Sequence, residues 1–147
     1  VVRGAYPVLT TYTAIAMFDA IISCWYEKYK TNLVRPITYI QENIDPEWMP
    51  LIQTPPFPEY TCGHSTASSA NAEALTSVFG DNFAYTDTTE LEFGIPSRSF
   101  TSFRHAAEEN NWARFYGGIH FHNSCIISTE YGRKVGQYIV NKLKFAK

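Results

Sequence analysis

The sequence predicts an all-α fold, a helical bundle interrupted by one long proline-rich connection. Three observations carry that expectation. Apolar and small residues recur at three- and four-residue steps in four separate stretches, whereas no stretch shows the two-residue alternation of a half-buried strand. Six of the 8 prolines fall between Pro36 and Pro58, where a regular helix cannot run uninterrupted. The chain has 147 residues, 45% of them hydrophobic and 16% aromatic. That suits a single domain over residues 1–147 and is too little for two ordinary ones.

The first helix is expected near Pro7 to Tyr29, with Tyr12, Ile15, Asp19, Ile22, Tyr26 and Tyr29 at helical spacing. Pro36 then ends helical continuation and biases Arg35 toward extended geometry. Residues 36–58 are expected to form an irregular, ordered connection, stiffened near its end by Pro55-Pro56-Phe57-Pro58-Glu59-Tyr60. A helix of small residues follows from about Ser65 to Phe79, with Ala67, Ala70, Ala74, Leu75 and Val78 on one side and Gly80 as its stop. Asp81 to Ser97 reads as loop. A further helix runs from about Ser99 or Ser102 to Tyr116 and ends at Gly117-Gly118. The last, roughly Asn123 to Lys142, is expected to bury Ile127, Tyr131, Val135, Tyr138 and Ile139, and Trp25, Tyr26 and Trp112 are expected in the core.

Composition excludes several partner classes. With 12 Lys+Arg against 14 Asp+Glu the net charge is −2, which gives no field for nucleic acid or an anionic membrane surface. No apolar run reaches the roughly 20 residues of a bilayer span, because Asp19 and Ser23 break the best candidate, Ala14 to Trp25. A soluble domain without membrane partners is expected. The chain begins with Val1 and shows no signal peptide, so a processed or truncated N-terminus is expected; a secreted or periplasmic protein whose leader has been removed fits, and the compartment stays open. Cys24, Cys62 and Cys125 are widely spaced and match neither a disulfide scaffold nor a zinc pattern.

Three segments carry chemistry when read together: Lys28-x6-Arg35-Pro36, Cys62-Gly63-His64-Ser65 and Arg114-x5-His120. An anion with several oxygens needs fixed positive charge around its rim, backbone N–H groups beneath it and a nitrogen base on its axis. Lys28, Arg35 and Arg114 supply the charge, the start of the second long helix supplies amides near Gly63, and His64 and His120 supply imidazoles. Each residue also has a plainer reading. Lys28 and Arg35 taken singly are solvated surface charges, and His64 is a hydrogen-bonding residue at a helix start. His120 with His122 makes a His-x-His pair, although that spacing suits a zinc-binding strand better than a helix. Cys62 as a thiol phosphatase nucleophile fails, because Ser68 stands where Cys-x5-Arg requires arginine.

The three segments resemble the signature of the vanadium-dependent haloperoxidases and type 2 phosphatidic acid phosphatases: Lys-x6-Arg-Pro, Pro-Ser-Gly-His and Ser-Arg-x5-His-x3-Asp. Here they read Lys28-x6-Arg35-Pro36, Thr61-Cys62-Gly63-His64 and Ala113-Arg114-x5-His120-x3-Ser124. Flanking text is similar to the bacterial haloperoxidase branch: Phe18-Asp19-Ala20, Pro56-Phe57-Pro58-Glu59-Tyr60, Phe79-Gly80-Asp81-Asn82 and Tyr116-Gly117-Gly118-Ile119-His120-Phe121. The likeness runs from about Phe18 to Gly136, and members of that family are longer on the N-terminal side. The chain is therefore expected to be the C-terminal, site-bearing part of a longer protein.

The resemblance implies roles position by position. Lys28, Arg35 and Arg114 would hold the oxygens of vanadate, or of phosphate in the same site, with the Gly63 amide and residue 62 as further donors. His64 would be the acid–base, and His120 would bind vanadium or, in a phosphatase, attack phosphorus. Small anions, halide and hydrogen peroxide are the implied partners, and a second copy of the chain is a candidate to cover a face left bare. Two positions depart from the pattern. Cys62 replaces serine, so a poor donor that ionises beside cations stands against the anion. Ser124 replaces aspartate, so the orienting carboxylate behind His120 is expected to be lost and binding weakened. An acid phosphatase with a phosphohistidine at His120, and a domain that binds phosphate or vanadate without turnover, stay open as alternatives.

Overall fold

The computed structural model describes residues 5–143. Five α-helices and one short two-stranded ribbon are found among them: α1 (Ala5–Thr31), α2 (Pro36–Asn43), α3 (Gly63–Phe79), β1 (Tyr85–Asp87), β2 (Arg98–Phe100), α4 (Phe103–Tyr116) and α5 (His122–Lys142). The all-α bundle is therefore observed. Helix α3 is its axle, packing against α1, α4 and α5, and α1 and α5 also touch each other.

Small residues make that packing close. The buried stripe of α1 is Ala16, Ala20, Cys24 and Lys28, one residue per turn, and it meets Ala70 and Ala74 of α3 and Ile139 of α5. Helix α5 turns Gly132 and Gly136 onto α3, where a β-carbon at Gly132 would lie 2.1 Å from the Thr66 carbonyl oxygen and one at Gly136 2.5 Å from that of Ala70. A buried ion pair supports the far end of α3: Arg104 Nε donates to Glu73 Oε1 at 2.7 Å and its Nη2 to Oε2 at 2.8 Å, with Glu73 only 5% exposed.

Several expectations fail, each for a local reason. The 36–58 connection is not wholly irregular: α2 opens it with Pro36 in the first helical turn, where the missing N–H costs no bond and the fixed φ suits a helix. Arg35 is extended as expected, with φ −76° and ψ 155°. The 81–97 loop contains β1, which pairs antiparallel with β2 in the register Tyr85↔Phe100; strands of three residues are too short to show alternation. On α1 the later part of the expected stripe faces outward, for Ile22, Tyr26 and Tyr29 are all more than half exposed, as is Phe18, whereas Tyr12 and Ile15 pack against the core. On α5, Ile139 is buried and Val135 packs against the core as expected, but Ile127 and Tyr138 are exposed while Cys125, Ser128, Gly132 and Gly136 are buried. At those positions and along the later turns of α1, large apolar residues mark the outer face and small ones the packed face, the reverse of the usual signal. By length and composition α1 is apolar enough to cross a membrane, contrary to the sequence expectation, although its inner stripe is packed against the bundle.

Glycine-to-alanine changes normally stabilise a helix interior by about 0.5–1 kcal/mol. At Gly132 the clash with the Thr66 carbonyl reverses that sign: Gly132→Ala is expected to lower stability by about 1–3 kcal/mol in denaturant unfolding. An unchanged or raised midpoint would contradict the close α3–α5 contact.

Candidate active site

Each of the three signature spacings corresponds to a helix end. Lys28 sits in the last turn of α1, and Arg35, the last of the four residues that link α1 to α2, stands just before α2. Cys62 precedes α3 without capping it through its side chain, so the Gly63, His64 and Ser65 amides open the helix with no intrahelical acceptor. Arg114 closes α4, after which Gly117 and Gly118 turn the chain under Trp48 and Pro50. Gly118 has φ 76°, and a β-carbon there would lie 3.0 Å from the Trp48 ring, so glycine lets the turn pass close to that ring and deliver His120 just ahead of α5.

These ends meet around one cavity of about 360 Å3, lined by His64, His120, Arg114 and Gly63. Its other wall is apolar, formed by Met17, Ile21, Trp25, Pro55, Phe57 and Ala67, with Ser68 and Asn71 at the edge. Trp25, expected in the core, is a wall of this cavity instead, because the α1 stripe is rotated.

Lys28 and Arg35 lie beneath the wall, wrapped in carbonyls. Lys28 is fully buried and its Nζ donates to the Pro58 carbonyl at 2.8 Å and the Glu59 carbonyl at 2.9 Å. Burial lowers its pKa to about 8, still charged at neutral pH. Arg35 is 6% exposed; its Nε donates to the Phe57 carbonyl at 3.0 Å and its Nη1 to that of Ile119 at 2.8 Å. The Phe57 ring is shared, with Lys28 Nζ 5.2 Å and Arg35 Cζ 5.1 Å from its centroid. Two buried guanidinium nitrogens of this site have no partner: Arg35 Nη2 and Arg114 Nε. An unpaired buried guanidinium N–H costs free energy, and an anion between these two groups would satisfy both.

His120 is 4% exposed and bonded at both ring nitrogens. Arg35 Nη1 lies 3.0 Å from Nε2, and Glu59 Oε1 lies 2.7 Å from Nδ1. Ser124 does not reach the ring as expected; its hydroxyl donates to Glu59 Oε2 at 2.8 Å. A carboxylate therefore does stand behind His120, supplied by Glu59 from the proline-rich segment. Sequence reading passed over Glu59 because it lies 61 residues from His120; the only signal was an acidic side chain inside the Pro56–Tyr60 run. His122 is exposed and its ring lies 5.2 Å from that of Trp112, apart from this network. Among the described residues no cluster of three or more His, Cys, Asp or Glu is placed to hold a metal ion.

Cys62 is fully buried and not part of the cavity lining; its amide donates to Ser128 Oγ at 2.8 Å. A hydrogen bond from the Cys125 thiol lowers the Cys62 pKa against the opposing effect of burial, with His120 adding to the lowering, while Cys125 is pushed up in return. Of the two thiols, Cys62 is the one that ionises first. The third, Cys24, accepts from Thr61 Oγ1 at 3.1 Å, and all three are free. His64 is exposed at the cavity; desolvation first and the Arg114 charge second hold its pKa below the ordinary 6.5.

The VCPO second helical-bundle domain family matches residues 8–146, and the chain belongs to it. Among solved structures, a bacterial vanadium-dependent iodoperoxidase is 51% identical with TM-score 0.89, over 92% of this chain and 33% of that one. A bacterial vanadium-dependent chloroperoxidase shares the fold at 21% identity and TM-score 0.76, over 89% of this chain and 35% of its own. The chain thus spans about a third of the length of these structures. No curated protein matches.

In the chain free of added oxyanion, the His64 ring is expected to titrate below 6.5 by NMR. Arg114→Gln removes a positive neighbour and is expected to move the midpoint upward. A midpoint at or above 6.5 in the parent chain, or one indifferent to Arg114→Gln, would contradict this electrostatic picture.

Proposed function

We propose that this chain carries the oxyanion site of an enzyme that oxidises halide with hydrogen peroxide in the presence of vanadate, as the site-bearing part of a longer protein. The observation that carries the reading is the pair of partnerless buried donors, Arg35 Nη2 and Arg114 Nε, beside His120 and the open amides of α3. That donor set fits vanadate: His120 Nε2 would hold the vanadium, and Arg35, Arg114, Lys28 and the Gly63 amide its oxygens. Phosphate, with the same charge and outline, would compete for the same groups. Bound vanadate supplies a Lewis acid that activates peroxide without itself changing oxidation state.

The chain's own residues do the rest. A ligand held at His120 Nε2 would take the place of the Arg35–His120 hydrogen bond, and Arg35, fixed by the Phe57 and Ile119 carbonyls, would direct its charge to the anion. His64, neutral at neutral pH, takes the proton that peroxide gives up and returns one to the departing oxygen. The apolar wall of Trp25, Phe57, Ile21 and Met17 favours a weakly hydrated halide. Iodide, for which the 51% identical relative is named, is the halide proposed. Burial of Cys24 and Lys28 of α1 beneath the cavity supports reading α1 as a bundle helix rather than a membrane span.

One preparation assayed two ways tests the reading. Iodide oxidation should require vanadate and peroxide together and should fall as phosphate is added. Hydrolysis of a phosphate monoester without vanadate would favour a phosphatase instead, and anion binding with neither activity would leave a binding domain. Within the positive case, His64→Ala is expected to lower the turnover about 10²- to 10⁴-fold while vanadate affinity changes little; an equal loss in both would deny His64 its proton-transfer role. Cys62→Ser removes the most ionisable thiol beside His120 and is expected to tighten vanadate binding several-fold in equilibrium titration. Weaker or unchanged binding would mean that the thiol is no handicap.

A further inference from the structure

We infer that Glu59 is the positioning residue of this site: its carboxylate fixes which nitrogen of His120 offers a lone pair and supplies the negative charge behind the ring. The inference rests on the reading of His120 as the ligand-bearing imidazole. Its geometry, however, stands on the chain alone.

The tautomer follows from the two hydrogen bonds at the ring nitrogens, with Arg35 at Nε2 and Glu59 at Nδ1. Arg35 Nη1, 3.0 Å from Nε2, belongs to a guanidinium, which donates and never accepts. Nε2 must therefore present its lone pair, and in the neutral ring the proton sits on Nδ1. Glu59 Oε1, 2.7 Å away, receives it. The opposite tautomer would set N–H against N–H at Arg35 and leave a lone pair against a carboxylate oxygen. Both contacts would then be repulsive.

Every contact of the Glu59 carboxylate is with a donor. Oε1 also accepts from the Phe121 amide at 3.1 Å, and Oε2 accepts from Ser124 Oγ at 2.8 Å. Three donors converge on a fully buried carboxylate, within reach of the charges of Lys28 and Arg35. The backbone of the same residue is pinned from both sides. Its N–H donates to the Leu33 carbonyl at 2.9 Å, and its carbonyl accepts from Lys28 Nζ at 2.9 Å. The side chain is thus aimed from a rigid support that also anchors one of the cage cations.

This arrangement changes the meaning of Ser124. The residue four places after His120 does not orient the ring; it steadies the carboxylate that does. When the Nε2 lone pair is given to an electrophile, positive charge grows on the imidazole, and a carboxylate at Nδ1 compensates it. Glu59 therefore raises the affinity of Nε2 for its ligand, whereas an uncharged group of the same shape would orient the ring without that gain.

The test uses the full chain in three forms: unchanged, Glu59→Gln, and Glu59→Gln with Ser124→Asp. In the unchanged chain without vanadate, 15N-edited NMR of the histidine rings should place the His120 proton on Nδ1, in slow exchange and shifted far downfield. A proton on Nε2 would overturn the inference without any variant. Vanadate affinity should fall about 10- to 100-fold in Glu59→Gln and recover in the double variant, where a carboxylate is returned from α5. Equal affinity in Glu59→Gln and the unchanged chain would overturn it, and so would a loss that Ser124→Asp does not repair, since that would make Glu59 a packing residue. If the Nδ1 proton is found but vanadate does not bind the unchanged chain, the positioning stands and the cofactor reading falls.

Discussion

Backbone carbonyls make this site possible. Lys28 and Arg35 are almost wholly removed from water, and an isolated buried cation would cost far more than a small domain can spare. The oxygens of Phe57, Pro58, Glu59 and Ile119 take the place of water around them. Hydrogen bonds to charged groups contribute about 1.5–3 kcal/mol each, so four such contacts can hold both cations in place. The proline-rich segment is suited to the task. Prolines 55, 56 and 58 stiffen a strap whose carbonyls turn inward, and Glu59 at its end adds the one carboxylate that both cations face.

From this constraint follows the direction of the remaining charge. The carbonyls use Lys28 Nζ and the Nε–Nη1 edge of Arg35, which leaves Arg35 Nη2 without a protein acceptor. Arg114, arriving from the end of α4, leaves its Nε unpaired as well. Two orphaned guanidinium donors in a protein of net charge −2 make a local positive focus. Such a focus selects a small anion over a polyanion, because the surrounding surface offers no matching field. Helix α3 adds its opening amides from below, and the close packing of Gly132 and Gly136 on α3 fixes where those amides sit.

Much of this was legible in the sequence, and the failures have a common cause. Helix positions followed from periodicity and from Gly80, Gly117 and Gly118. Of Lys28, Arg35, Cys62, Gly63, His64, Arg114 and His120, the last four line the cavity, and Lys28, Arg35 and Cys62 are buried beneath it. What misled was side-chain size: at Ile22, Tyr26 and Tyr29 of α1 and Ile127 and Tyr138 of α5 the large residues point outward, while alanine, glycine, serine and cysteine make most of the packed faces. Ser124 showed a second limit. A missing aspartate looked like a missing charge, but a carboxylate may be replaced from any part of the chain that folds back to it, and Glu59 does so across 61 residues. Local spacing carries no information about such a substitution. The ribbon of β1 and β2 was hidden for a simpler reason, because three residues cannot display a period.

The central claim is that vanadate occupies this cavity bonded to His120, with Arg35 and Arg114 around it. Anomalous diffraction from crystals of the chain soaked in vanadate locates vanadium directly. The account predicts a single strong peak within bonding distance of His120 Nε2, with Arg35 Nη2 and Arg114 Nε turned toward its oxygens. Vanadium elsewhere on the molecule, or a cavity that stays empty while His120 keeps its contact with Arg35, would contradict it.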